Sequence, residues 1–317
     1  MARSVLTRTT PAPEQPGAAT SPLSRLSAVL ISLRPEQWTK NLLVFAGLLF
    51  GGRLLDASAA LAAAWTFVLF CALSGAIYLF NDVRDRDGDR RHPIKRTRPI
   101  AAGVLRPSTA LITATTLVAA GIAGAVVVTP VLAGVAAAYT ALLLLYTFAF
   151  KHLVIIDVMT IAAGFVLRAI AGAVAVGVPF SSWLLACTTL LALFLALSKR
   201  RHELVLLGGG ADEHRPILNE YSPYLLDQMI SVVTASTVIA YTVYATSPDT
   251  AARLGTSHLG VTVPFVLYGI FRYLYLVHQK QGGGSPSTLL LSDRPLLLCV
   301  GLWVGTVAAL MYSPLGR

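Results

Sequence analysis

Long apolar stretches, separated by short polar segments, fill most of the chain from about residue 37 to residue 312. Most of them are close to the roughly 20 residues that a membrane-spanning helix needs. The pattern therefore predicts an all-α, polytopic membrane protein with nine transmembrane helices. The predicted crossings are 37–54, 57–80, 107–128, 131–150, 153–178, 180–198, 224–246, 259–277 and 295–312.

The segment before the first crossing has a different character. Residues 1–22 contain four prolines among Ser, Thr and Ala and have no apolar core that could form a secretory signal, so we expect a disordered cytoplasmic tail. In residues 23–34, apolar side chains recur at helical spacing beside Ser and Arg, which is typical of a helix on the membrane surface. We expect residues 35–317 to form a single domain of nine transmembrane helices.

Composition and charge support a membrane protein and give its orientation. The chain is 55% hydrophobic and only 13% charged, whereas ordinary globular proteins are about a quarter charged. With a cytoplasmic N-terminus, 20 of the 25 Lys and Arg residues lie on the inner side and three on the outer side. The positive-inside rule therefore predicts a multi-pass protein of the plasma membrane. The net charge of +10 is explained by this topology and by anionic lipid headgroups of the bilayer, without nucleic acid as a partner.

Two long polar loops, residues 81–106 and 199–223, face the cytoplasm in this topology, so we expect the active site there. The first loop begins with Asn-Asp-Val-Arg-Asp-Arg-Asp-Gly-Asp. At about 100° per residue, Asp82, Asp85 and Asp89 fall within a sector of roughly 60° if the helix continues, while Asp87 points away.

Like charges grouped in this way are unfavourable unless a cation neutralises them. Carboxylate oxygens suit Mg²⁺, which proteins commonly share with substrate phosphates, so the cluster predicts a magnesium and diphosphate site. In the alternative interpretation, the carboxylates form a solvated helix end and pair with neighbouring arginines: Arg84, Arg86, Arg90 and Arg91.

A basic segment, residues 90–103, follows the acidic cluster directly and contains Lys95 and Arg98. Lysine and arginine beside a metal-bound phosphate supply counter-charge, and arginine can bind two oxygens through parallel hydrogen bonds. A positively charged loop that binds lipid headgroups is the alternative. The position next to the aspartates favours the substrate-binding interpretation.

These residues resemble the UbiA superfamily of intramembrane prenyltransferases. The resemblance rests on Asn81, Asp82, Asp85 and Asp89, followed by Arg-Thr-x-Pro-Ile-x-x-Gly at 96–103, and extends from about Leu33 to the last crossing. It implies a nine-helix enzyme whose aspartates hold Mg²⁺ and a substrate diphosphate.

The second cytoplasmic loop departs from the usual superfamily pattern. Prenyl-diphosphate users typically have a second Asp-x-x-x-Asp motif there, whereas this chain has Ser-Lys-Arg-Arg-His-Glu at 198–203. Three adjacent cations indicate direct binding of an additional phosphate. Together with segments 34–41, 146–151 and 221–228, the loop resembles the branch that moves a phosphoribosyl group from 5-phosphoribosyl diphosphate to decaprenyl or another polyprenyl phosphate, for arabinan and cell-wall synthesis.

The resemblance implies a nucleophile, the lipid phosphate oxygen, that is already ionised and needs no general base. Lys199, Arg200 and Arg201 are candidates for the donor's 5-phosphate. Arg168 and Asp157, inside the fifth crossing, each have a structural role as an equal alternative to substrate contact. The full set of candidate substrate-binding residues is Lys40, Asn41, Asn81, Lys95, Arg98, Lys151, Asp157, Arg168, Lys199, Arg200, Arg201, Glu203 and Tyr221.

Two other functions remain open at this point. A conventional prenyltransferase would transfer a prenyl group to an aromatic acceptor, but the missing second aspartate pair disfavours it. A transporter could use the intramembrane Arg168 and Asp157 as a polar path. Against transport, the charges collect on one cytoplasmic face. A homo-oligomer is compatible with the pattern.

Overall fold

The computed structural model describes residues 22–179, 181–207, 216–280 and 286–313. Within these ranges the chain is helical and contains no strand, so the all-α prediction is confirmed. The α-helices are α1 (Pro22–Ser32), α2 (Ala46–Phe50), α3 (Ala57–Arg84), α4 (Arg86–Arg91), α5 (Pro107–Val128), α6 (Pro130–Phe148), α7 (Ile156–Ala175), α8 (Ser182–Leu207), α9 (Pro223–Thr246), α10 (Pro248–Leu254), α11 (Val263–Gln279), α12 (Pro286–Ser292) and α13 (Arg294–Tyr312).

Eight of the helical segments in the described ranges are long and apolar enough to cross a membrane. They correspond to the second to ninth predicted crossings and are α3, α5, α6, α7, α8, α9, α13, and α11 together with the 3₁₀ turn His258–Thr262 before it. The multi-pass architecture predicted from the apolar stretches is therefore confirmed.

The first predicted crossing has an irregular structure. It consists of a 3₁₀ helix, Pro35–Phe45, followed by the short helix α2. This segment packs very closely on α7: a Cβ added at Gly172 would lie 1.8 Å from the carbonyl oxygen of Val44. Only glycine permits such an approach of two backbones. The contact fixes the 3₁₀ helix against the bundle at the position where the sequence contains Lys40 and Asn41.

Helix starts follow the local sequence. Proline occupies the first turn of α5, α6, α9 and α13, where its missing N–H removes no intrahelical bond. Side-chain caps add to this: Thr129 accepts from the N–H of Leu132, and Asp293 from that of Leu296. These signals explain why the ends of the crossings could be placed within a few residues.

Helix α1 lies beside the last turns of α3 and the start of α5. Ala28 is buried against them, whereas Leu26, Leu30 and Ile31 are exposed. An exposed apolar face on a short helix is what an interfacial position requires. The predicted tail lies outside the described residues, apart from Pro22 at the start of α1.

Candidate active site

The acidic segment lies at a break between two helices. Helix α3 ends at Arg84, Asp85 has φ −88° and ψ 5°, and α4 begins at Arg86. The expectation that three aspartates share one face of a continuous helix is therefore wrong. Asp87 does point away, since its side chain is 87% exposed, and it pairs with Arg90 at 3.7 Å.

The carboxylates of Asp82 and Asp89 both contact one atom, Nη1 of Arg98, although the helix is interrupted at Asp85. Nη1 of Arg98 lies 3.2 Å from Oδ1 of Asp82 and 2.6 Å from Oδ2 of Asp89. The two carboxylates are almost fully buried, with side chains 2% and 6% exposed. Arg34 also donates to Oδ1 of Asp82. Two buried carboxylates that meet at one cationic nitrogen define a position that favours positive charge.

Asp85 has a different partner. Nζ of Lys151 lies 2.9 Å and 3.2 Å from its two carboxylate oxygens. Lys151 is on the short 3₁₀ helix Phe150–His152 that connects α6 and α7. Across the described ranges, no three His, Cys, Asp or Glu side chains lie close enough together to hold a metal ion. The structure thus brings two of the predicted ligands together and pairs the third with a lysine.

Two of the four arginines in the alternative interpretation donate to backbone carbonyl groups. Arg84 donates to the carbonyl oxygen of Thr147, and Arg90 donates to that of Ala101 at 3.1 Å. The cations that do pair with the cluster come from elsewhere in the chain: Arg34, Arg98 and Lys151. The carboxylates of the cluster therefore pair with side chains from other structural elements, and the cluster is not a solvated helix end.

A cavity of about 370 Å³ opens beside Asp82. This is within the size range of small-molecule sites. It lies between the end of α1, the start of the 3₁₀ helix Pro35–Phe45 and the basic segment, and its charged lining suits a polar, anionic ligand. The lining residues are Ile31, Ser32, Arg34, Glu36, Gln37, Asp82, Thr97, Arg98 and Pro99.

Lys95 lies in the basic segment, on the short 3₁₀ helix Lys95–Thr97. Burial, together with the nearby charge of Arg98, lowers the pKa of its ammonium group, while Asp89, Glu203 and Asp85 act in the opposite direction. The predicted site residue Asn81 is half-buried on the last turn of α3.

Arg200 is buried in a network that joins three helices. Its Nε donates to Asp157 at 2.7 Å, and its two terminal nitrogens donate to Glu203 and to the hydroxyl of Tyr146. The hydroxyl of Tyr221 donates to the other oxygen of Asp157 at 2.8 Å. These predicted site residues are brought together, but they bind one another.

The other two cations of the basic triplet face different neighbours. Arg201 pairs with Asp227 on α9, and the imidazole of His278 lies 3.3 Å from the same carboxylate. Lys199 pairs with Glu203 at 3.7 Å and keeps 39% of its side chain exposed. The three cations of the triplet therefore have three different environments, and Lys199 is the most exposed of them.

Arg168 connects α7 to α6 and to the 3₁₀ helix Pro35–Phe45 through hydrogen bonds. It donates to Asn41 at 2.7 Å, to the carbonyl oxygen of Gly164 at 3.0 Å and to the hydroxyl of Tyr139 at 2.6 Å. Asn41 in turn donates to Ser74 at 3.3 Å. Since each nitrogen of this buried guanidinium has a protein partner, the structure favours the structural alternative for Arg168 over contact with the lipid phosphate.

Tyr139 and Ser74 were not recognised from the sequence as part of these networks, and Tyr146 was noted only as the first residue of segment 146–151. Each lies within an apolar stretch, and a lone hydroxyl there gives little signal. The pairing depends on contacts between helices that are distant in the chain, such as Arg168 with Asn41, 127 residues apart.

Known proteins resemble this chain in sequence and in fold. It is 37% identical over 304 residues to a decaprenyl-phosphate phosphoribosyltransferase of Mycolicibacterium smegmatis, covering 92% of this chain and 94% of that protein. A protein of the same name from Corynebacterium glutamicum is 35% identical, with 92% and 89% covered. The fold matches that of a UbiA homolog from Archaeoglobus fulgidus bound to GPP and Mg²⁺, with a TM-score of 0.67, 18% identity, and 89% and 99% of the two chains covered.

The sequence pattern of the UbiA prenyltransferase family matches residues 41–293, which include the acidic cluster, the basic segment and the second cytoplasmic loop. This confirms the family inferred from the Asn-Asp-x-x-Asp-x-x-x-Asp motif at Asn81. The chain belongs to the UbiA prenyltransferase family.

Proposed function

We propose that this protein is a membrane transferase that moves the 5-phosphoribosyl group of phosphoribosyl diphosphate to a polyprenyl phosphate and releases diphosphate. The observation that supports it most is the convergence of Asp82 and Asp89 on Arg98, in a cluster that also includes Arg34 and Lys151. Such a mixed cluster suits a diphosphate and its counter-ion. The transferred group and the acceptor follow the two relatives, which are both named decaprenyl-phosphate phosphoribosyltransferase, and the diphosphate donor is the one that the acidic cluster suits.

The donor set at the cluster fits a divalent ion, and we assign Mg²⁺ to it. Asp82 and Asp89 supply carboxylate oxygens that already meet at one cationic atom, and Asp85 is the third ligand in the proposal. Once bound, the ion would neutralise the departing diphosphate while the C1–O bond to ribose breaks.

The cations of the cluster would exchange one anionic partner for another. Arg98, Arg34 and Lys151 pair with carboxylates in the structure, so each can turn to diphosphate oxygens without losing a counter-charge. Arg98 and Arg34 line the cavity in which a diphosphate would lie. Their role is to orient the donor and to hold the leaving group away from water.

The acceptor needs no dedicated base. A phosphate oxygen of the lipid is ionised at neutral pH, and the reaction consists of forming its bond to C1 of ribose while the diphosphate leaves with the electron pair of the broken bond. Asp157 accepts hydrogen bonds from both Arg200 and Tyr221, so we assign Asp157 and Tyr221 a positioning role that keeps α7 and α8 in register. The site lies on the cytoplasmic face of the plasma membrane in this proposal.

An assay with two donors tests the function. Membranes containing the protein are given phosphoribosyl diphosphate labelled in the ribose together with polyprenyl phosphate, and separately a labelled prenyl diphosphate with 4-hydroxybenzoate. We expect label in the lipid fraction in the first assay only. Label incorporated only in the second assay would identify a conventional prenyltransferase instead.

A further inference from the structure

Ile155, immediately before α7, has a backbone conformation that a β-branched residue does not favour. Its φ is 67° and its ψ is −44°, and the N–H of Ile156 donates to the carbonyl oxygen of Val154 at 2.7 Å. These angles and this hydrogen bond define a γ-turn of the rare, strained type. In the described ranges Arg34 is the only other non-glycine residue with a positive φ. Such a conformation persists only where the surrounding structure holds it.

The contact that holds the turn comes from Tyr221, in the second cytoplasmic loop. The side chain of Ile155 is 45% exposed, so its burial does not explain the conformation. The N–H of Ile155, however, donates to the hydroxyl oxygen of Tyr221 at 2.7 Å. The same hydroxyl donates to Oδ1 of Asp157 at 2.8 Å, and the tyrosine is buried. Since a tyrosine hydroxyl can accept and donate at once, one oxygen atom connects the strained turn to a buried carboxylate.

The turn also determines how the chain passes from Lys151 into α7. Lys151 lies on the 3₁₀ helix Phe150–His152, which ends three residues before Ile155. The ammonium group of Lys151 contacts both carboxylate oxygens of Asp85. A return of Ile155 to an ordinary negative φ would redirect this short connection relative to α7. We therefore expect the conformation of the turn to decide whether Lys151 reaches the acidic cluster.

We propose that Tyr221 is a positioning residue for Lys151: its hydroxyl holds the strained turn at Ile155, and the turn places the lysine ammonium group at the acidic cluster. The inference rests on the proposed function, in which Lys151 turns from Asp85 to the diphosphate of the donor. The second cytoplasmic loop then controls a cation of the acidic cluster through the backbone between α6 and α7. The strain makes this placement conditional, because Ile155 is free to adopt a negative φ once the hydroxyl is removed.

A comparison of Tyr221→Phe in two backgrounds tests the proposal. With Ile155 present, we expect the initial rate of transfer to fall about tenfold, because the turn loses the bond that holds it. Glycine adopts a positive φ as readily as a negative one, so the turn is not strained in an Ile155→Gly background. There, Tyr221→Phe should lower the rate less than about threefold. The lost hydrogen bond to Asp157 is common to both comparisons and cancels.

Equal losses in the two backgrounds would overturn the proposal and would favour direct contact between Tyr221 and substrate. A Lys151→Gln background adds a second condition. Because the side chain that Tyr221 positions is already missing there, Tyr221→Phe should cost less than about twofold. A tenfold loss in that background as well would show that Tyr221 acts independently of Lys151.

A distance measurement on the ligand-free, full-length protein requires no turnover. Spin labels are attached at Asp87→Cys and His152→Cys, two exposed positions close in sequence to the ion pair, after replacement of the native cysteines by alanine. We expect a narrow distance distribution in the wild type, a broader one in Tyr221→Phe, and a narrower one again when Ile155→Gly is added. A distribution unaffected by Tyr221→Phe would refute the proposal. If the donor assay fails, this measurement still decides whether Tyr221 holds the connection.

Thermal unfolding tests the strain itself, with Ile156→Gly as the matched control. Ile156 is the same residue type, is 41% exposed and is the first residue of α7. Glycine destabilises a helix, whereas at Ile155 it removes strain. We therefore expect a higher midpoint temperature for Ile155→Gly than for Ile156→Gly. The reverse order would show that the turn is not strained and would contradict the proposal.

Discussion

Arg200 donates from Nε to Oδ2 of Asp157 at 2.7 Å, and both side chains are almost completely buried. Removal of Asp157 leaves the buried Nε of Arg200 without its acceptor, and the hydroxyl of Tyr221 also loses a partner, although Glu203 still offsets the charge of Arg200. We expect Asp157→Ala to lower the free energy of unfolding by about 2–3 kcal/mol.

The measurement is the thermal midpoint of the ligand-free protein. The control is the double variant Asp157→Asn with Arg200→Gln, which removes both charges and should be more stable than Asp157→Ala alone. If Asp157→Ala unfolds at the wild-type temperature and changes only the affinity for substrate, Asp157 contacts ribose and the positioning role is wrong.

The converging carboxylates should be essential for turnover. Asp82→Asn and Asp89→Asn each remove a charge at the position that favours a cation, so we expect the rate of transfer to fall at least about a hundredfold with the fold intact. Asp87→Asn, whose side chain is exposed, should change the rate less than about twofold. Equal losses in all three variants, measured by initial rates with saturating donor, would contradict the geometry of the cluster.

Replacement of Arg98 should strengthen metal binding and weaken donor binding. Arg98→Gln removes a cation that competes for Asp82 and Asp89, so Mn²⁺ should bind more tightly in the absence of donor. The same variant loses a charge-assisted hydrogen bond to the diphosphate, so KM for the donor should rise about tenfold.

Free Mn²⁺ is measured by its paramagnetic resonance signal and KM by initial rates. Arg91→Gln is the matched control, because Arg91 is an exposed arginine of the same segment. Unchanged Mn²⁺ binding in Arg98→Gln would show that a metal and this arginine do not share the carboxylates.

Deprotonation of Lys95 should weaken donor binding at alkaline pH. Burial lowers the pKa of its ammonium group from the ordinary 10.5, so it loses its charge at a lower pH than an exposed lysine does. Phosphate binding needs the charged form, which is present below the pKa, and KM for the donor should therefore rise as pH increases through that range. Arginine stays charged throughout, so Lys95→Arg should shift the rise to higher pH. Identical pH profiles of KM for the two proteins would exclude Lys95 from the donor site.

The crossings and the acidic motif were predictable from the sequence because both depend on local patterns. Apolar stretches of spanning length correspond to eight helical segments, and prolines mark several of their starts. The first crossing was not predicted as a 3₁₀ helix, because its form depends on the contact between Val44 and Gly172.

The partners of the aspartates could not be predicted in the same way. Arg34 and Lys151 lie 48 and 66 residues from the carboxylates they bind, and nothing in the local pattern selects them over nearby arginines. The helix break at Asp85 has no proline to mark it, so a continuous helical face was the simplest expectation. The pairing of Arg200 with Asp157 and of Arg201 with Asp227 likewise follows from the packing of α7, α8 and α9.

The most direct test of the account follows ribose label from phosphoribosyl diphosphate into polyprenyl phosphate, for the wild type with and without EDTA and for Asp82→Asn with added Mg²⁺. The account predicts labelled lipid in the wild type with Mg²⁺, and a loss of at least about a hundredfold in the other two samples. Transfer that survives complete chelation, or that persists in Asp82→Asn, would contradict a diphosphate held by a divalent ion at the converging carboxylates.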